Sequence, residues 1–222
     1  MTTLRSIAIV DDDAALRDSL AVLLRFRNLN VVEFASGEQL LASPELNNFD
    51  CLILDLRMGG ISGLEVVEAC RARGLQTPII VVTAFGSVPA ATRALKSGAF
   101  DFLEKPVHEG QMMRVVDEAL STADRYATLR AERSSLNERV ASLSGREREV
   151  LYAVLNGRHN REIAASLKLS VRTIEVYKAR VMEKMRVSRL AELIRMFTRL
   201  DAAAEQPIAA TEAQLPTSTF RH

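Results

Sequence analysis

The sequence predicts an α/β domain built on a doubly wound, five-stranded parallel sheet, joined by a helical linker to a smaller all-α domain of four helices. Three observations carry this. Short apolar runs flanked by turn formers alternate five times with helix-periodic segments over the first half of the chain. Those runs lack polar alternation, the pattern of strands buried on both faces. From residue 143 on, apolar residues return only at helical spacing.

Residues 5–10 form the first strand, which ends in Asp11-Asp12-Asp13. Leu16, Leu20, Leu23 and Leu24 then recur at helical spacing, so a helix starts near Asp13. Val31-Val32-Glu33-Phe34 is the second strand, and a short helix opens at Gly37. The third strand is the strongest signal: Cys51-Leu52-Ile53-Leu54 runs straight into Asp55, between Asn47-Asn48 and Gly59-Gly60. Leu64, Val66, Val67 and Ala69 belong to a third helix that stops before Gly74. Residues 78–83 are the fourth strand, residues 90–96 a helix stopped by Gly98, and residues 99–103 the fifth strand. A further helix starts near Glu109.

Composition narrows the function. Aromatic residues make up 5% of the 222 and there is no Trp, which argues against a large aromatic-lined pocket. The net charge of +1 hides an asymmetry. Residues 1–123 hold 11 Lys/Arg against 16 Asp/Glu, a net −5, whereas residues 143–200 hold 13 against 6, a net +7. An acidic module joined to a basic, nucleic-acid-facing one is the expectation. Cys51 and Cys70 sit in apolar contexts and read as core residues, at a spacing that fits no zinc site. His108, His159 and His222 fit no catalytic or metal spacing. No leader pattern and no apolar run near the length of a membrane span is present, so the expected location is the cytoplasm.

The strand ends carry the chemistry. Asp11-Asp12 follow the first strand, Asp55 ends the third, Thr83 ends the fourth and Lys105-Pro106 follow the fifth. A lone strand-end Asp serves as well for a turn cap as for a site. In a parallel sheet, however, all four ends meet at one edge, the edge where such folds bind ligands. Carboxylates converging there repel one another unless a cation lies among them, and hard oxygen ligands point to Mg²⁺. A carboxylate nucleophile, a divalent ion, a lysine and a hydroxyl together suit an incoming phosphoryl group.

In these residues the chain resembles the receiver domain of two-component response regulators. The match spans about residues 5–123: Asp11-Asp12, Asp55-Leu56-Arg57-Met58, Ser62-Gly63, Thr83-Ala84 and Lys105-Pro106 fall in order. The resemblance implies strand order 2-1-3-4-5 and Asp55 as acceptor of phosphate from a sensor histidine kinase. It implies Mg²⁺ held by Asp12, Asp55 and the Arg57 backbone carbonyl, with Asp11 acting largely through water. Thr83 and Lys105 would grip phosphoryl oxygens. Thr83, Phe102 and Pro106 would form the switch, with a cis Lys105-Pro106 bond. One departure is Gly59-Gly60, where the family usually has a proline; it bears on loop rigidity and phosphoryl lifetime.

Residues 111–143 contain no Gly and no Pro. Met112, Val115, Val116, Ala119 and Leu120 make one apolar stripe, continued more sparsely by Leu129, Leu136, Val140 and Leu143. A partly exposed helix running on, a short coiled coil and a bent linker all fit this pattern. Ser144 with Glu147 three residues on is a capping box opening the next helix. Helices over about 160–167, 171–185 and from 188 follow, with a tight turn at Lys168-Leu169-Ser170. That turn predicts a helix-turn-helix. At 100° per residue, Ile174, Tyr177, Val181 and Met185 form the core stripe of the third helix. The opposite face would read base edges with Glu175, Val176 and Ala179, and meet phosphates with Arg172, Lys178, Arg180 and Lys184.

Residues 144–199 are similar to the LuxR-type helix-turn-helix, through Leu143-Ser144-Gly145-Arg146-Glu147, Asn160-Arg161-Glu162-Ile163-Ala164 and Thr173-Ile174-Glu175-Val176-Tyr177-Lys178. The last run points to the FixJ/NarL family and its FixJ-like branch, in which a His is more usual than Tyr177. Thr173 joins the DNA-facing set on this resemblance. Residues 201–222, Ala-rich and then rich in Pro, Thr, Ser and Gln, lack apolar periodicity and read as a disordered tail. Together the two resemblances imply a receiver over 1–123, a helical linker over 124–142 and a DNA-binding domain over 143–200. They imply double-stranded DNA, a histidine kinase and, on phosphorylation, a second copy of the chain as partners. RNA polymerase is a further candidate, no membrane is expected, and transcriptional activation is the expected outcome. No enzyme activity beyond the chemistry at Asp55 itself is expected: phosphatases with an Asp-x-Asp motif need a carboxylate where this chain has Arg57. A ligand-sensing regulator would leave the acidic strand ends purposeless. A phosphate-independent regulator, using its first domain only to dimerise, is separable by an Asp55→Asn variant.

Overall fold

The computed structural model describes residues 4–84 and 87–204, with side chains to residue 199. The described chain divides after Tyr126 into two compact units. In the first, five parallel strands lie in the order β2-β1-β3-β4-β5: β1 Ser6–Val10, β2 Asn30–Phe34, β3 Cys51–Asp55, β4 Ile79–Thr83 and β5 Asp101–Glu104. Successive residues of the inner strands sort onto opposite faces. Ile7, Ile9, Cys51, Ile53, Ile80 and Val82 pack beneath α1 (Ala14–Arg25) and the first turns of α5 (Glu109–Ala141). Ala8, Val10, Leu52, Leu54, Ile79 and Val81 pack beneath α2 (Gly37–Ala42), α3 (Gly63–Ala72) and α4 (Val88–Lys96). Both faces are therefore core, which is why these strands show no alternation of polar and apolar residues. Burying each large side chain is worth about 1.5–3 kcal/mol.

Two element boundaries differ from expectation for local reasons. α4 begins at Val88 rather than residue 90, because Ser87 caps it and Pro89 falls in the first turn, where no N–H is required. β5 begins at Asp101 rather than residue 99, because the Ala99 N–H still bonds Ala94 O at the end of α4, beyond Gly98 at φ +99°.

In the second unit, α6 (Gly145–Leu155), α7 (Asn160–Leu167), α8 (Val171–Lys184) and α9 (Leu190–Ala204) follow the last turns of α5. Leu136 and Leu143 are buried against Leu151, Val181, Met185 and Leu193. The linker helix thus runs on partly exposed over 127–135, as one of the expected readings has it, and its sparse stripe becomes core at its end through Leu136 and Leu143. Val150, Val154, Ile163, Ala164 and Ile174 close a second cluster around the turn between α7 and α8. Lys168 makes that turn in the left-handed region, φ 54°, and Leu169 N–H bonds Ala164 O. Of the tail expected over 201–222, residues 201–204 belong to α9 and the rest lie outside the described residues. Among the described residues no helix is long and apolar enough to cross a membrane.

Candidate metal centre and nucleic-acid interface

The strand ends converge. Carboxylate oxygens of Asp11, Asp12 and Asp55 all lie within 4.8 Å of one another. Asp11 is 3% exposed and Asp55 8%, whereas Asp12 is open to solvent. Lys105 enters from the far side of the sheet edge, its Nζ 2.8 Å from Asp11 Oδ2 and 3.5 Å from Asp55 Oδ1. Thr83, fully buried, lies in register with Glu104 on β5, and its carbonyl accepts the Lys105 N–H at 2.8 Å. The Lys105-Pro106 bond is cis.

Three carboxylates face one ammonium here, so the cluster keeps an excess of two negative charges. Burial pushes the Asp55 carboxyl above its ordinary range; Lys105 pulls it back, Asp11 pushes it up again, and a hydrogen bond from the Arg57 backbone opposes the rise. Asp11 is already engaged on both oxygens: Oδ1 accepts the Asp13 N–H at 2.9 Å and Oδ2 the lysine. Asp55 is likewise engaged, by the Arg57 backbone and by Lys105, so Asp12 is the member most open to a further ligand. A hard divalent cation that favours oxygen ligands and retains several waters fits this donor set. Phe102 is half-buried on β5, packed against the cluster beneath α2, α3 and α4.

Several neighbours of this site carry no sequence signal. Arg17 donates to the Asp11 carbonyl at 2.6 Å. Gly59 N–H donates to Asp12 Oδ2 at 3.1 Å, and Glu38 accepts from Ile61 N–H at 2.8 Å. An exposed Glu in the first turn of a six-residue helix looks like any other surface carboxylate. Gly63 did belong to a motif, and its reason is now visible: a Cβ there would lie 2.2 Å from the Asp55 carbonyl oxygen.

In the second unit α8 presents the expected face. Ile174, Val181 and Met185 are buried and Tyr177 is half-buried, while Arg172, Glu175, Val176, Ala179 and Arg180 are exposed and Thr173 and Lys178 are half-buried. The Thr173 hydroxyl lies 2.7 Å from Ser170 Oγ at the N-cap. Lys184 does not join this face as a free cation. Its Nζ lies 2.6 Å from Glu147 Oε2, a carboxylate only 3% exposed, and also reaches the Ser142 carbonyl. That bond, with the Ser144 N–H, holds the Glu147 carboxyl down at about 2. Sequence separation of 37 residues hid the pair.

Residues 7–117 match the family described as response regulator receiver domain, and residues 141–197 the family described as bacterial regulatory proteins, luxR family. The chain is 40% identical over 199 residues to the transcriptional regulatory protein FixJ of Bradyrhizobium diazoefficiens, covering 90% of this chain and 97% of that protein. It is also 40% identical over 193 residues to the C4-dicarboxylate transport transcriptional regulatory protein DctR of Rhodobacter capsulatus, covering 86% and 98%. Among solved structures it is similar to the response regulator StyR, with TM-score 0.75, 32% identity and 89% and 100% of the two chains covered. Full-length FixJ from B. japonicum gives TM-score 0.54 at 38% identity, with 90% and 99% covered.

Proposed function

Since this chain belongs to the FixJ-like response regulators, two-component transcription factors that join a receiver to a luxR-type helix-turn-helix domain, we propose that Asp55 is its phospho-acceptor and α8 its DNA-reading helix. A receiver implies a histidine kinase as phosphodonor, and a luxR-type domain implies binding to DNA. The observation that carries the reading is the convergence of Asp11, Asp12 and Asp55 within 4.8 Å, with Lys105 against two of them.

An oxygen of Asp55 attacks phosphorus in line; the bond to the donor imidazole breaks and the imidazole leaves with its electron pair. Asp12, Asp55 and the Arg57 carbonyl would hold Mg²⁺, which supplies neutralising charge for the phosphoryl oxygens. Asp11 orients Lys105 and takes part through water. Lys105 shifts toward the phosphoryl group, and the Thr83 hydroxyl donates to it. Phe102 and the cis-Pro106 segment then adjust behind Thr83, altering the face made by α4, β5 and α5. Moving such a switch from 1% to 99% active needs about 5.5 kcal/mol of differential stabilisation. A doubly charged group beside a lysine and a divalent ion is a sufficient source for much of it.

In this reading the altered face pairs two receivers, and the paired chains set two α8 helices on half-sites about one helical turn apart. Glu175, Val176 and Ala179 face base edges; Arg172, Lys178 and Arg180 face phosphates, with Thr173 beside them. The outcome is activation of transcription, through RNA polymerase, in the cytoplasm. No turnover of small phosphoesters is expected. The test is labelling by a small acyl phosphate: Mg²⁺-dependent incorporation that vanishes in Asp55→Asn is the expected result, and labelling that survives the substitution sinks the assignment. DNA affinity unchanged by a phosphate mimic would remove the switch.

A further inference from the structure

Residues 56–62 join β3 to α3, and both ends of this loop are held by backbone hydrogen bonds. Leu56 N–H donates to Val82 O at 3.1 Å and Gly63 N–H to Leu56 O at 3.0 Å. Between them, the Ser62 N–H caps α3 through Glu65 Oε2 at 2.7 Å, and two further amides reach carboxylates of Asp12, after β1, and of Glu38, on α2. Gly59 N–H donates to Asp12 Oδ2 at 3.1 Å, and Ile61 N–H to Glu38 Oε1 at 2.8 Å. The Ile61 side chain is seated over α2, close enough that a Cβ on Gly37 would come within 2.9 Å of it.

The two glycines of the loop do different things. Gly60 lies at φ +94°, and a Cβ there would fall 2.3 Å from Glu38 Oε1. Only glycine lets that carboxylate close on the loop. Gly59 is outside the left-handed region, and a Cβ added to it would meet nothing within 4 Å. Neither space nor dihedral calls for glycine at 59. What the position supplies is an N–H, which a proline could not.

We propose that the Gly59 amide is a positioning donor for Asp12, and that Glu38, acting through Ile61, sets the loop so that this amide reaches it. The inference rests on the reading of Asp12 as a metal ligand. Asp12 is the exposed member of the cluster, so its side chain has the most rotational freedom to lose when an ion binds. One N–H on Oδ2 leaves a lone pair there and both on Oδ1. The carboxylate is thus ordered before the ion arrives, which removes part of the cost of ordering it on binding. The route runs from α2 to the loop to the end of β1, across three elements that no local sequence pattern connects.

Three variants of the full-length chain test this by calorimetric titration with Mg²⁺, with thermal melting as the check on folding. Gly59→Ala keeps the N–H and is expected to bind within about twofold of wild type. Gly59→Pro removes it and is expected to bind at least about fivefold more weakly. Glu38→Ala frees the loop and is expected to lose about threefold. Equal affinity of the alanine and proline variants at residue 59 overturns the proposal while leaving the metal site intact. Should the proline variant fail to fold, Glu38→Ala decides: a loss supports the brace, and wild-type affinity overturns it. A wild-type chain that binds no Mg²⁺ overturns the underlying reading and this inference with it.

Discussion

The Lys105 ammonium stands 2.8 Å from Asp11 Oδ2, a contact between residues 94 apart in the chain. Asp11 is almost wholly buried, so the lysine is its charge partner as long as no ion is bound. Lysine and divalent cation then compete for the same negative field.

Replacing Lys105 by Met should separate two roles. Mg²⁺ affinity is expected to rise about three- to tenfold, because a repelling charge is removed. Labelling of Asp55 should fall at least about tenfold, because a charge that stabilises the transferring group is lost. The ion-free variant should be less stable, by up to about 3 kcal/mol, since Asp11 keeps a buried charge without its partner. Titration calorimetry and labelling rates read the split; weaker Mg²⁺ binding would contradict it.

Gly63→Ala should damage the receiver through its backbone. The new Cβ would lie 2.2 Å from Asp55 O and 3.0 Å from Asp55 C, atoms that cannot move without dragging the Asp55 carboxylate. A loss of about 2–4 kcal/mol is expected by denaturant unfolding. Gly110→Ala, where a Cβ meets nothing within 4 Å, is the control and should be neutral or slightly stabilising.

Glu147 gives a pH signature. Its folded-state carboxyl is held at about 2, below the ordinary 4.5, chiefly by the Lys184 bond. A depressed carboxylate contributes stability that is fully present above pH 4.5 and fades as pH falls toward about 2. The Lys184 side chain is 39% exposed, so solvent screens the pair and the contribution is about 1–2 kcal/mol. Glu147→Gln should therefore be less stable than wild type above pH 4.5, with the gap closing on acidification. A gap independent of pH would assign the loss to packing alone.

The same pair divides the cations of α8. Arg172→Ala and Arg180→Ala should each lower the slope of log affinity for DNA against log salt by about one, with little change in stability. Lys184→Ala should lower the melting temperature instead. If Lys184→Ala changes the salt slope and not the melting temperature, its ammonium serves DNA rather than the fold.

Much of this was legible in one dimension. A strand buried on both faces needs apolar residues at every position, so β1, β3 and β4 announce themselves as continuous runs. Asp11, Asp12, Asp55, Thr83 and Lys105 could be brought to one edge on paper, because parallel strands all end on the same side. Element boundaries were less legible where capping decides them, as at Ser87 and Ala99.

By itself, then, the sequence determined the order of strands and helices, the charge division between the two units and the chemistry gathered at the strand ends. Those follow from periodicity and from residue type. Only the tertiary structure decided which partner each charged group takes: Lys105 on Asp11, Gly59 on Asp12, Glu38 on Ile61 and Lys184 on Glu147. Hydrogen bonds act over about 3 Å of space whatever the separation in sequence. Residues 23 to 94 positions apart become neighbours only after the sheet and the helices have packed.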